Sequence, residues 1–364
     1  MPGQRRAPVP VDTALCRRCQ VQDPAITVRT EPLCTECFGK YVSTKIIKRM
    51  ERFRVRHAEA GQERLLLLPL SRGPCSTVLL HTLSAHLRSQ AEKSGRTGYR
   101  LHVLHIVDDE NRLAGNTAVF DKVRARYPEH AYSTSPLSDV LALEGVQDLL
   151  TAEQSSTGAE SGTGGDAKLS TIFATLSSAT SRADLHQILL RRLATSVAQQ
   201  HACEAIFWGD STTRLAERTL AETAKGRGFA LPSLIGEHNH SSRGQETKSH
   251  YPLRDLLRKE LAAFASMQDT PLDELIVRND GLKPAVSTRN TTIDDLMMQY
   301  FASVEREYPS IVANVVRTTS KLQAVPLGEV EQVCELCEAP LLGHAPERSR
   351  LCYGCIRTLP RSAE

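Results

Sequence analysis

The sequence predicts an α/β protein built on a doubly wound parallel sheet, with a four-cysteine zinc module at each end of the chain. Three observations carry that reading. Short apolar runs without polar alternation recur through the middle of the chain, as strands buried on both faces of a parallel sheet require. Segments of helical period separate them, which is the alternation of βαβ units. Eight of the ten cysteines fall into four CxxC pairs: Cys16/Cys19, Cys34/Cys37, Cys334/Cys337 and Cys352/Cys355.

The first strand is expected in Arg64 to Leu70 (RLLLLPL), followed by a turn and by Thr77 to His86 in helical period. Leu101 to Val107 (LHVLHIV) is a second strand ending at Asp108 and Asp109, Ala114 to Arg126 the next helix, and His130 to Thr134 a weaker third strand. Leu137 to Leu150 is helical. Thr151 to Lys168, rich in Gly, Ser and Thr and poor in large apolar residues, reads as an insertion or disordered loop. Arg182 to His201 sets Leu185, Leu189, Leu193 and Val197 at the i, i+4 spacing of an amphipathic helix. Ala205 to Gly209 (AIFWG) is a fourth strand, Thr213 to Lys225 a helix, and Phe229 to Ile235 a fifth strand. A polar loop is expected over Glu237 to His250, and Leu253 to Gln323 reads mainly as helices. The corresponding domains are an N-terminal zinc module with a basic helix (1–60), an α/β domain (61–250), a helical region (251–325) and a C-terminal zinc module (326–364).

A chain of 364 residues can bury a substantial core. Its longest apolar run, Leu65 to Leu70, is far too short to cross a bilayer. No apolar stretch follows the charged start MPGQRRAPVPVD, so neither a secretory signal nor a membrane anchor is expected. A soluble protein of a reducing compartment follows, and there CxxC pairs serve metals rather than disulfides. The net charge of +3 does not by itself announce nucleic-acid binding, so any RNA footprint must be a local patch.

Both ends of the chain read CxxC, fourteen residues, CxxC, the spacers being 20–33 and 338–351. Tetrahedral Zn²⁺ takes four thiolates at about 2.3 Å, and each CxxC turn presents two of them to one ion. Four-thiolate closure leaves no coordination position for catalysis, so both sites read as structural. Of the remaining cysteines, Cys203 reads as a small buried hydrophobe. Cys75 stands at a helix N-terminus, where a thiol pKa can be lowered, but has no demonstrable base.

Ser71-Arg72-Gly73-Pro74-Cys75-Ser76 follows the first strand and opens the first helix, the place where glycine-rich loops cradle phosphates. Strand, turn and helix resemble the PP-loop family of ATP pyrophosphatases, whose signature is Ser-Gly-Gly-x-Asp-Ser. Ser71, Gly73 and Ser76 match it. Arg72 replaces a glycine, so a positive φ there costs on the order of 1–2 kcal/mol and a long side chain enters the phosphate space. Pro74 has no N–H to offer, and Cys75 stands where the family has its aspartate. The loop is read as degenerate, with no ATP bound.

Two further stretches extend the resemblance. Gly209-Asp210-Ser211-Thr212-Thr213-Arg214-Leu215-Ala216-Glu217 resembles the family's Gly-His-Asn-x-Asp-Asp-x-Ala-Glu, keeping Gly209, Ala216 and Glu217. Tyr251-Pro252-Leu253-Arg254-Asp255 resembles the Lys-Pro-Leu-Arg segment of PP-loop enzymes that thiolate RNA, which also carry cysteine quartets at both ends. Catalytic members have further central cysteines that hold an iron–sulfur cluster or carry sulfur. Here Ser170 to Ser181 and Leu272 to Lys283 contain none. Together with Cys34-Thr35-Glu36-Cys37-Phe38-Gly39-Lys40-Tyr41-Val42, these features look like the family of non-catalytic second subunits of the eukaryotic cytoplasmic tRNA 2-thiolation complex.

That resemblance implies two structural zinc ions, no ATP or iron–sulfur cluster on this chain, no catalytic residue of its own and a cytoplasmic location. It implies three partners: the intact catalytic PP-loop subunit, tRNA, and a thiocarboxylated ubiquitin-like sulfur carrier. The product would be 2-thiolated wobble uridine (mcm5s2U) in the tRNAs for Lys, Glu and Gln. Two alternatives stand beside it. An active ATP-dependent tRNA thiouridine synthetase predicts ATP binding by the isolated chain, and a zinc-ribbon adaptor without an RNA role predicts unchanged tRNA thiolation when the gene is removed.

One local feature points to RNA independently. Over Gly39 to Glu59, Val42, Ile46, Met50 and Phe53 fall on one helical face, while Lys45, Lys48, Arg49, Arg52 and Arg56 gather on the other. A row of cations neutralises phosphates without reading sequence, although a merely solvated face has the same pattern.

Overall fold

The computed structural model describes residues 14–57, 64–108, 116–151, 164–237, 239–242, 245–277, 290–323, 332–341, 345–346 and 349–359. The N-terminal cysteines frame a small antiparallel hairpin, β1 (Ile26–Val28) and β2 (Glu31–Leu33). Helix α1 (Thr35–Arg49) starts directly on Cys34, whose sulfur caps it by accepting from the Cys37 N–H at 3.4 Å. The helix stops at Met50 and two short 3₁₀ turns follow, Glu51–Phe53 and Val55–His57. The expected single helix over 39–59 is therefore broken, yet Val42, Ile46, Met50 and Phe53 are all buried. A 3₁₀ turn keeps the three-to-four residue spacing that the apolar pattern reports.

The sheet alternates as expected. Its first half is β3 (Leu65–Pro69), α2 (Pro74–Ser94), β4 (Arg100–Val107), α3 (Asn116–Arg126) and β5 (Ala131–Pro136). The stretch expected to be one helix over 137–150 splits at Gly145, φ 77°, into a 3₁₀ helix (Leu137–Ala142) and α4 (Val146–Thr151). Most of the glycine-rich stretch, 152–163, lies outside the described residues, but its end is helical, opening α5 (Gly165–Thr175). Then come α6 (Ala179–Gln200), β6 (Ala205–Phe207) and α7 (Thr212–Ala224).

The fifth strand is not Phe229 to Ile235. That segment forms a 3₁₀ turn and the short helix α8 (Leu231–Ile235), with Pro232 in its first turn. The strand comes instead from the segment expected to be a polar loop: β7 (Asn239–Ser242) and β8 (Gln245–His250) form a hairpin, and β8 lies parallel to β6. Sheet order is β5-β4-β3-β6-β8-β7, parallel except for the edge strand β7. Helices α9 (Arg258–Ser266), α10 (Ile293–Glu307) and α11 (Pro309–Thr319) follow, and α12 (Tyr353–Thr358) carries the last cysteines.

Leucines of β3 show the layering. Leu66 and Leu68 belong to a core with α1, α2, α3, α9 and the N-terminal cysteines, while Leu67 faces the opposite core with α5, α6 and the C-terminal cysteines. Helices α2 and α3 thus cover one face and α6 the other, the doubly wound arrangement. The winding reverses between β3 and β6, where open α/β sheets bind their ligands at the carboxyl ends of the strands.

Candidate functional site

The loop after β3 sits at this switch point, and its polar groups are consumed by one another. Ser71 Oγ lies 3.1 Å from Ser76 Oγ, and Ser76 Oγ donates to the Gly73 carbonyl at 3.2 Å. Gly73 is the N-cap of α2 without any side-chain cap bond, and Pro74 takes the first turn, so the loop presents no N–H there. Arg72 occupies the left-handed region at φ 60°. Its side chain is 1 % exposed and its carbonyl accepts from the Val277 N–H at 2.9 Å. Burial lowers the Arg72 pKa, and the Asp108 carboxylate at the end of β4 opposes that. Burial and then the Arg72 charge push His105 down to about 4. His186 of α6 completes the group, with Nε2 2.9 Å from Asp108 Oδ2. A buried cation of the chain itself therefore sits under the loop, beside Asp108 and His105.

The other two motif segments converge on the same edge. Gly209 follows β6, and a Cβ there would come within 3.0 Å of Ser76 Cα. This glycine persists because the backbone of the loop lies against it. Ser211 caps α7 through the Arg214 N–H (3.2 Å), and Thr212 Oγ1 donates to the Arg254 carbonyl at 2.7 Å. Glu217, 1 % exposed, accepts from Arg258 at 2.7 Å. Asp210 accepts from Arg191 at 2.8 Å, and the Arg191 guanidinium lies 4.2 Å over the Trp208 ring. Burial raises the Cys75 thiol to about 11, with Arg258 and Ser211 opposing, so the lowering that a helix N-terminus offers is overridden. Cys203, in the turn after α6, is buried and raised in the same way.

The cysteine quartets are assembled. In each, all four sulfurs lie within 4.8 Å of one another. Cys19 and Cys34 are 3.8 Å apart, Cys337 and Cys352 3.9 Å. Four sulfurs at about 2.3 Å from one ion form a tetrahedron with an edge of about 3.8 Å, so the spacing fits a single tetrahedral metal. Sulfurs that close leave no room for a multi-iron cluster between them.

The five basic residues do not form one free row. Lys48, Arg52 and Arg56 are exposed, but Arg56 pairs with Glu51, and Arg49 is held by Asp255. Lys45 lies 5.8 Å over the Tyr41 ring and Arg52 5.9 Å over that of Phe53. Sequence reading missed Asp108, His186 and the buried Asp184–Arg227 cluster beside the C-terminal quartet. Only Asp108, at a strand's carboxyl end, carried a signal in sequence.

A family profile described as cytoplasmic tRNA 2-thiolation protein 2 matches residues 292–350. Curated relatives bearing that name extend the match. One from Phaeosphaeria nodorum is 43 % identical, covering 95 % of this chain and 95 % of its own length. Another from Pyrenophora tritici-repentis is 41 % identical over 100 % and 98 %. Among solved structures, the U34-tRNA thiolase NcsA from Methanococcus maripaludis with its [4Fe-4S] cluster superposes with TM-score 0.58 at 16 % identity, covering 90 % of this chain and 92 % of that one. At that identity the likeness is one of fold.

Proposed function

The chain belongs to the cytoplasmic tRNA 2-thiolation protein 2 family, and from that premise we propose that it is a non-catalytic subunit of a tRNA thiolation complex. One observation carries the assignment of a non-catalytic role: Arg72, at φ 60° and buried, lies where the nucleotide loop of an active relative needs a glycine and open space. A phosphate would have to displace a buried cation from Asp108 and meet a loop whose hydroxyls are already paired. In this reading the adenylating chemistry belongs to an intact PP-loop partner, sulfur arrives on a thiocarboxylated ubiquitin-like carrier, and the substrates are the tRNAs for Lys, Glu and Gln.

The quartets Cys16/Cys19/Cys34/Cys37 and Cys334/Cys337/Cys352/Cys355 would each hold one structural zinc, fastening the two ends of the chain to opposite faces of the sheet. The exposed Lys48 and Arg52 offer phosphate contacts, with Lys45 and Arg56 beside them and Arg49 serving the fold. Mass spectrometry of wobble uridines from cells lacking this protein tests the function. Loss of 2-thiouridine, restored by the chain, is expected; normal thiolation without it would leave the adaptor reading standing.

A further inference from the structure

The two cysteine quartets sit in different electrostatic settings. Around the N-terminal one the cations are at the surface: Arg18 pairs with Glu31 at 3.1 Å, and Lys40 with Glu36 at 2.5 Å, both pairs solvated. Water screens such charges.

The C-terminal quartet is built into a buried ionic cluster. Lys225 and Arg227, just beyond α7, meet Asp184 of α6, Glu222 of α7 and Asp294 in the first turn of α10. Lys225 Nζ reaches Asp184 at 2.8 Å, Glu222 at 3.0 Å and Asp294 at 3.2 Å. Arg227 Nε donates to Glu222 at 2.6 Å, and its Nη2 donates to Asp184. Thr358 Oγ1 of α12 donates to the other oxygen of Asp184 at 2.6 Å. On its remaining side Arg227 packs against the Cys352-Tyr353-Gly354-Cys355 turn. A Cβ at Gly354 would lie 2.6 Å from Arg227 Cγ and 3.1 Å from Nη1, so the glycine lets the Arg227 side chain lie against this turn. Nη1 itself is buried with no acceptor among the described residues.

Asp184, Glu222 and Asp294 face Lys225 and Arg227, with Arg218 also acting on Glu222 and Arg192 bonded to the Glu335 and Leu336 carbonyls, and a metal held by four thiolates would add a formal charge of about −2 beside them. Arg227 stands between the carboxylates and Cys355. We propose that Arg227 is a buried counter-charge of the C-terminal metal site, making that site slow to release metal while the N-terminal site, balanced among the described residues by surface cations, exchanges readily. The proposal rests on the metal reading above. It gives Arg227 a positioning role toward the thiolates and no role in chemistry.

The test is maleimide alkylation of the full chain in the presence of a chelator, read peptide by peptide so that both quartets are followed in one sample. In the unaltered protein, Cys16, Cys19, Cys34 and Cys37 are expected to label at least about tenfold faster than Cys334, Cys337, Cys352 and Cys355. Partners that orient metal ligands typically contribute 10–100-fold, so Arg227→Met should speed C-terminal labelling by about that factor and leave the N-terminal rate alone. Arg227→Lys keeps the charge and should stay within about threefold of the unaltered protein. If Arg227→Met does not fold, Arg227→Lys decides: tenfold acceleration overturns the proposal. So does an unchanged C-terminal rate in Arg227→Met, or equal acceleration of both quartets. Immediate labelling of both quartets without chelator would instead overturn the metal reading itself.

Discussion

Arg49 of α1 donates through Nε and Nη2 to both carboxylate oxygens of Asp255, at 2.7 and 3.0 Å. The pair joins the basic helix to the Tyr251–Asp255 segment behind β8. Burial works to raise the Asp255 pKa, yet the Arg49 hydrogen bonds keep it below the ordinary aspartate range. Arg49 therefore belongs to the fold, and only its neighbours are left to meet an anion. Charge reversal at Lys48 and Arg52 should weaken tRNA binding by the assembled complex, each lost phosphate contact reducing the magnitude of the slope of log affinity against log salt by about 0.7–0.9. Arg49→Ala should leave that slope unchanged and cost no more than about 1 kcal/mol in urea, because the pair is about one-third exposed. Slopes unchanged from the unaltered protein in all three variants would return the whole face to the solvent.

The strands buried on both faces, the cysteine quartets and the strand, turn and helix around 71–76 were legible because each rests on local chemistry. Leu65 to Pro69 could be buried nowhere else, and fourteen-residue spacers recur at both ends. The sheet's fifth parallel strand was not legible. Gln245–His250 (QETKSH) carries no apolar run, and it forms a strand because β6 offers it a ladder. Phe229–Ile235 misled for the opposite reason, its apolar side chains being helical core rather than strand. Nor could the long-range polar pairs be read: the Arg49–Asp255 ion pair spans 206 residues and the Thr358–Asp184 hydrogen bond spans 174.

Metal analysis after gentle chelation should return about two zinc ions per chain, since closed thiolate sites contribute directly to folding. Cys16→Ser and Cys352→Ser should each remove one and lower solubility before any effect on thiolation appears. A single zinc, or iron in either quartet, would contradict the assignment.

The isolated chain should show no heat of ATP binding with Mg²⁺ at cellular concentrations, because Arg72 and Pro74 deny the loop its space and a donor. A micromolar dissociation constant would revive the synthetase alternative. Arg72→Gly would remove a backbone strain of about 1–2 kcal/mol but strip Asp108 of its cation, so it should not stabilise the protein.

Acid should destabilise this fold before its carboxylates titrate. Burial, then the charge of Arg72, hold His105 at about 4, below its ordinary 6.5, so the unfolded chain binds more protons between those values. Stability is full above pH 6.5 and falls as the pH drops toward 4, by about 1.4 kcal/mol per unit for each such histidine. Burial lowers His81, His102, His130 and His250 as well. Urea unfolding of His105→Leu at pH 7.5 and 5.5 should show a shallower acid loss than the unaltered chain, the metal sites being common to both. Parallel losses would mean that His105 titrates normally.

Gly209 separates steric from chemical reasons for a motif residue to persist. A methyl group there would meet Ser76 Cα at 3.0 Å, its Cβ at 3.1 Å and its nitrogen at 3.2 Å, all within the start of α2. Neither side can yield without moving the loop after β3 or the end of β6. Gly209→Ala should therefore cost about 1–3 kcal/mol, the usual range for overpacking. Gly209 has no positive φ among the described residues, so the cost would be contact rather than backbone conformation. Gly39, inside α1, supplies the contrast: nothing lies within 4 Å of its Cβ position, and Gly39→Ala should stabilise by about 1 kcal/mol through helix propensity. Chemical denaturation of the two variants side by side decides the matter. Shifts of opposite sign are expected, and a neutral Gly209→Ala would mean that the glycine persists for some reason other than the close approach of Ser76.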